Sequence, residues 1–132
     1  LGTTGSNVFA TGTYVWDIEY YPFVDVSAFP LGANFNVQIR MPGNAASGGT
    51  AIGLLNVGEW TECKMLVTNS GANTYTLNPA WTIFGSGSTT KYYHPNTTGY
   101  NGTSLFTFTI QRVADVGLNK AYNAIVDRKD LV

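Results

Sequence analysis

The chain has 132 residues, a formal net charge of -1, 44% apolar residues and only 11% charged ones. That length suits one domain with a real hydrophobic core, and the charged share is less than half of the roughly 25% usual in soluble domains. No basic run exceeds Arg128-Lys129 and no stretch approaches about 20 apolar residues, so neither nucleic-acid binding nor membrane insertion is expected, and one cysteine with one histidine forms neither an internal disulfide nor a Cys/His zinc site.

Residues 1–12 (LGTTGSNVFATG) are small and polar and read as an N-terminal arm or linker, held through Val8 and Phe9. The chain begins at Leu1 rather than Met, which points to processing or to excision from a longer product. Residues 13–132 read as a single β-sandwich domain. From Thr13 the pattern has period two: Tyr14, Trp16, Ile18 and Tyr20 share one face, with Asp17 and Glu19 on the other. The alternation returns at Phe35, Val37 and Ile39, again in Glu62–Thr68, and at Phe106, Phe108 and Ile110. Strands are expected near residues 13–21, 23–29, 33–41, 51–57, 62–69, 74–77 with 81–84, 92–94, 104–113 and 120–127. Turn clusters divide them, among them Pro42-Gly43-Asn44, Asn69-Ser70-Gly71-Ala72-Asn73 and Gly85-Ser86-Gly87-Ser88. The NSGAN turn predicts a hairpin or a tight sheet corner between residues 62–68 and 74–77. No window carries a helical apolar stripe. The fold expected is all-β, an antiparallel two-sheet sandwich, jelly-roll-like, with about eight strands and little or no helix.

Candidate chemistry is sparse. Asp17 and Glu19, two apart on one strand face, lie roughly 7 Å apart, which does not forbid glycoside hydrolysis, and Asp25 could join them around a hard cation. The plainer expectation is a solvated strand face. Residues 44–50 (NAASGGT) and 85–90 (GSGSTT) lack the lysine and the strand-to-helix setting of phosphate loops and read as plain loops. Cys63 shares a face with Met65 and Val67 and reads as a small core residue rather than a nucleophile paired with His94. The sequons at Asn96 and Asn101 are of the number chance supplies. No catalytic residue, metal ligand or cofactor is therefore assigned.

One segment stands apart. Residues 91–102 (KYYHPNTTGYNG) gather Tyr92, Tyr93, His94, Tyr100 and Asn101 among Thr and Gly, the composition of adaptable binding loops. Exposed rings with neighbouring amides suit sugars, whose C–H faces stack on aromatics; the alternative is that these tyrosines pack on a strand or a subunit neighbour. Trp60 and Trp81 carry the same pair of readings.

The runs Gly32–Pro42 (GANFNVQIRMP), Gly58–Pro79 (GEWTECKMLVTNSGANTYTLNP) and Ser104–Ile110 (SLFTFTI) resemble the small β-sandwich domains of tailed-bacteriophage virions, found in tail fibres and in capsid decoration (cement) proteins. The similarity spans about Ala33 to Ala114, some 60% of the chain, and is one of strands and turns. It implies a non-enzymatic structural protein on the virion surface, acting by assembly with other capsid or tail proteins and usually as a homotrimer. Binding of a host receptor is a further expectation. The alternative from the residues alone is a carbohydrate-binding module or lectin working through the Tyr-rich loop on a host surface glycan.

Overall fold

The computed structural model describes residues 8–10, 13–26, 36–46, 48–69, 81–93 and 102–131. Nine strands run through them: β1 (Val8–Ala10), β2 (Thr13–Asp17), β3 (Phe23–Asp25), β4 (Asn36–Arg40), β5 (Trp60–Asn69), β6 (Trp81–Ile83), β7 (Ser86–Tyr93), β8 (Gly102–Val116) and β9 (Asn119–Leu131). They build two sheets, ordered β1-β2-β4-β6 and β3-β5-β8-β9-β7. Among the described residues the one helical feature is a single 3-10 turn at Ala51–Gly53. The fold is all-β and sandwich-like.

Period two in the sequence becomes two inner faces. The first sheet contributes Tyr14, Trp16, Val37, Ile39, Trp81 and Ile83; the second contributes Val24, Cys63, Met65, Val67, Phe106, Phe108, Ile110, Ala124 and Val126, all buried in one cluster. Phe108 sits at its centre. Its ring meets Trp16 edge-on at 5.5 Å and Trp81 edge-on at 5.4 Å, so one residue of β8 is clamped between β2 and β6 of the opposite sheet. Such edge contacts put the positive rim of one ring against the negative face of another, and they add to what burial alone supplies.

The antiparallel expectation needs correction. Among the described residues four of the seven strand pairings are parallel: β2 with β4, β4 with β6, β3 with β5, and β7 with β9. The cause is the path of the chain. From β2 to β7 successive strands alternate between the two sheets, so each return to a sheet is made in the same direction as the last. Short turns between strands read as hairpins in the sequence, but here the chain crosses over the core instead of folding back beside itself. The extended antiparallel ladders are β5 with β8 and β8 with β9.

Three local expectations also change. Residues 51–57 form no strand: Thr50 Oγ1 accepts from Gly53 N at the 3-10 turn, Ile52 is 97% exposed, and Leu55 O accepts from the Arg112 guanidinium rather than from a ladder N–H. Residues 86–88, read as a loop, begin β7 instead, with a bulge between Ser86 and Ser88. The predicted arm supplies β1, where Val8 pairs with Val15 and Ala10 with Thr13. The predicted hairpin at residues 69–77 and the strand at 74–77 lie largely outside the described residues; β5 itself pairs with β3 and β8.

Candidate functional surface

The Tyr-rich segment starts on β7, an outermost strand of its sheet. Tyr92 is 65% exposed there. It falls at the second bulge of the strand, between Lys91 and Tyr93, where ladder pairing with β9 is interrupted and the side chain is freed from the sheet. Tyr93 pairs through its backbone with Ile125. His94, Tyr100 and Asn101 lie outside the described residues, so of the five predicted binding residues the side chain of Tyr92 alone is placed. The two tryptophans separate: Trp81 is fully buried against Phe108, whereas Trp60 is 47% exposed at the start of β5.

The acid pair takes a different role from either one expected of it. Asp17 is buried, not on a solvated face, and accepts a hydrogen bond from Ala46 N at 2.8 Å. Glu19 lies in the turn after β2. It accepts from Gly43 N at 2.9 Å and from Thr50 N and Thr50 Oγ1 at 3.2–3.3 Å. Both carboxylates therefore grip the segment following β4, supplying acceptors for backbone N–H groups that have no ladder partner. Partial burial pushes the Glu19 carboxyl up, but its hydrogen bonds from Gly43, Tyr20 and Thr50 outweigh this and hold it below its ordinary range. The solvated strand face is not formed because the chain turns at residues 18–20 and residues 42–46 and 48–50 lie over the acids.

A third feature escaped the sequence reading. The strand pair β8–β9 ends in a turn at Gly117-Leu118, and its outer residues are exposed: Val116 is 58% exposed and Leu118 is fully so. Gly117 has φ +62°, the left-handed value that a tight turn of this kind uses and that side chains resist. Beside the same end of β8 runs the 55–59 segment. Gly58 N donates to Arg112 O at 2.7 Å, Arg112 N donates to Glu59 O at 3.0 Å, and the Arg112 guanidinium donates to Leu55 O at 2.6 Å. Within and beside this segment Val57 and Trp60 are 57% and 47% exposed, and Ile52 in the preceding 3-10 turn is 97% exposed. The available signal was a leucine inside a Gly-Leu-Asn turn, where water contact normally selects polar residues.

Cys63 is buried on β5 and burial pushes its thiol well above the usual range, which suppresses the thiolate a nucleophile needs. Among the described residues no group of three or more His, Cys, Asp or Glu side chains converges as a metal site would require. Likewise, no helix is long and apolar enough to cross a membrane. Comparison with family models, with curated proteins and with solved structures returned no match.

Proposed function

We propose that this domain is a non-enzymatic structural module of a phage virion surface, either a capsid decoration protein or a tail-fibre domain, that works by assembling as a homotrimer and against neighbouring virion proteins. The observation that carries the assembly part is the exposure of large apolar side chains among the described residues, Ile52, Val57, Trp60, Val116 and Leu118 among them. A domain with 11% charged residues keeps apolar side chains in water at a cost in solubility, and contact with other chains removes that cost. The virion part rests on the resemblance of residues 33–114 described above, and a jelly-roll-like arrangement belongs to the same reading, with the parallel pairs as its departure.

Light scattering on the purified chain at micromolar concentration tests the assembly part. A trimer that dissociates on Leu118→Asp with Ile52→Asp is the expected result; a stable monomer refutes it. A second reading, glycan binding, is favoured by the exposed Tyr92 on the sheet margin. A glycan array with hits that vanish in Tyr92→Ala supports it, and an array without hits removes it.

A further inference from the structure

The outermost strands of the two sheets, β6 and β7, do not close on one another. A cleft of about 280 Å³ lies between them, lined by Thr82 and Ile83 from β6 and by Ser86, Ser88, Thr89 and Lys91 from β7. Its size is near the lower end of the range for small-molecule pockets, about 300–1,000 Å³, and matches one sugar ring better than an oligomer.

The wall is preorganised. Ser86 Oγ donates to Ser88 O at 2.7 Å and is 2.9 Å from Thr89 Oγ1, so two hydroxyls are fixed by each other and by the backbone. The bulge at Gly87 shapes this wall: a side chain there would run into Asn119 at the start of β9, so glycine lets β7 approach β9 closely enough to turn Ser86 and Ser88 as observed. The hydroxyls of Thr82 and Ser88 make no hydrogen bond among the described residues. Hydroxyls both donate and accept, which is what a polyol ring presents in return.

Lys91 supplies the charge. Its ammonium rests 4.2 Å from the centre of the Trp81 ring and 3.5 Å from Trp81 O, and among the described residues it has no carboxylate partner. A long hydrogen bond to one carbonyl leaves donors of a three-donor group unused. Although Lys91 is an exposed residue, partial burial of its side chain pulls its pKa below the usual lysine range. A cation held against an indole face, next to spare hydroxyls and with no carboxylate partner among the described residues, is the complement of a hydroxylated monoanion.

We propose that the β6–β7 cleft binds a carboxylate-bearing sugar ring, with the Lys91 ammonium on the carboxylate and Thr82, Ser86, Ser88 and Thr89 on the ring hydroxyls. The cleft shares no residue with the exposed apolar residues Ile52, Val57, Trp60, Val116 and Leu118, so it stands or falls apart from the assembly reading.

The test is calorimetric titration of the full chain with D-glucuronate, D-glucose, acetate and inorganic phosphate. Glucuronate binding that exceeds each of the other three by about tenfold or more is expected, because neither the charge nor the hydroxyls alone fill the site. Lys91→Gln should weaken glucuronate about tenfold or more while Lys91→Arg retains most of it. Since Lys91 also packs on Trp81, Ser88→Ala, at an exposed position whose hydroxyl is unbonded, gives an independent loss should Lys91→Gln fail to fold. Equal binding of acetate or phosphate overturns the proposal in favour of a simple anion site. Equal binding of glucose, or no glucuronate heat at millimolar concentration, overturns it outright.

Discussion

Replacing Phe108 by leucine removes a ring that joins the two sheets while leaving an apolar side chain in place. Phe108 is fully buried and makes edge contacts to Trp16 and Trp81 at interplanar angles of 79° and 82°. Each aromatic pair contributes about 0.5–1.5 kcal/mol beyond area burial, so the two together come to about 1–3 kcal/mol. The space left by the smaller side chain adds of the order of 0.5 kcal/mol at about 24 cal/mol per Å³. A loss of about 2–3 kcal/mol is therefore expected, within the roughly 5–15 kcal/mol that holds a domain folded. In urea, where m is about 1–3 kcal/mol/M, the midpoint should fall by about 1–2 M, followed by tryptophan fluorescence because Trp16 and Trp81 both lose their shared neighbour. Phe106→Leu is the comparison: it is equally buried two residues earlier, and the Arg128 guanidinium lies 5.6 Å from its ring. Phe108→Leu should cost more. A loss below about 1 kcal/mol, or one equal to that of Phe106→Leu, would refute the clamp between sheets.

Acid should loosen the fold through Glu19. Its folded pKa lies below the ordinary 4.5, so its stabilisation is complete above that value and is lost as pH falls through the folded pKa. Denaturation midpoints between pH 3 and 7 should decline at the acid end, and less steeply in Glu19→Gln; identical slopes would exclude Glu19 as the cause. Asp130 shifts in the same direction, lowered first by its bond from the Ser104 hydroxyl at 2.6 Å and further by Arg128, so Asp130→Asn should remove a second part of the same decline. Asp17→Ala strips the acceptor from Ala46 N and should cost about 1–3 kcal/mol in thermal melts. Gly117→Ala meets no neighbouring atom, so its effect isolates backbone strain at φ +62°, about 1–2 kcal/mol by urea denaturation.

The inner faces of this fold were legible from sequence because burial repeats every second residue. Trp16, Val37, Ile39, Phe106, Phe108 and Ile110 all point where alternation put them. Strand direction was not legible: alternation is the same whether a neighbour runs parallel or antiparallel, and a short connection does not reveal that it passes over the core. Nor does alternation reveal where backbone groups outside the ladders find partners. Glu19 reaching Thr50 and Arg112 reaching Leu55 join positions far apart in the chain, and nothing local marks either pair. Tyr92 was found through composition, whereas Lys91 and Ser88 acquire their setting only when β7 lies beside β6.

The alternating route of β2 to β7 also sets the order in which the polypeptide can become stable during synthesis. Each parallel neighbour must wait for an intervening strand in the opposite layer, and β5 must wait for β8, which follows it by several dozen residues. Non-local pairing of this kind closes slowly because loop entropy is spent before contacts form. The longest local ladder, β8 with β9, emerges last. We expect a nascent chain to stay open to protease until Phe108 has left the ribosome, and a chain truncated before β8 to aggregate rather than fold.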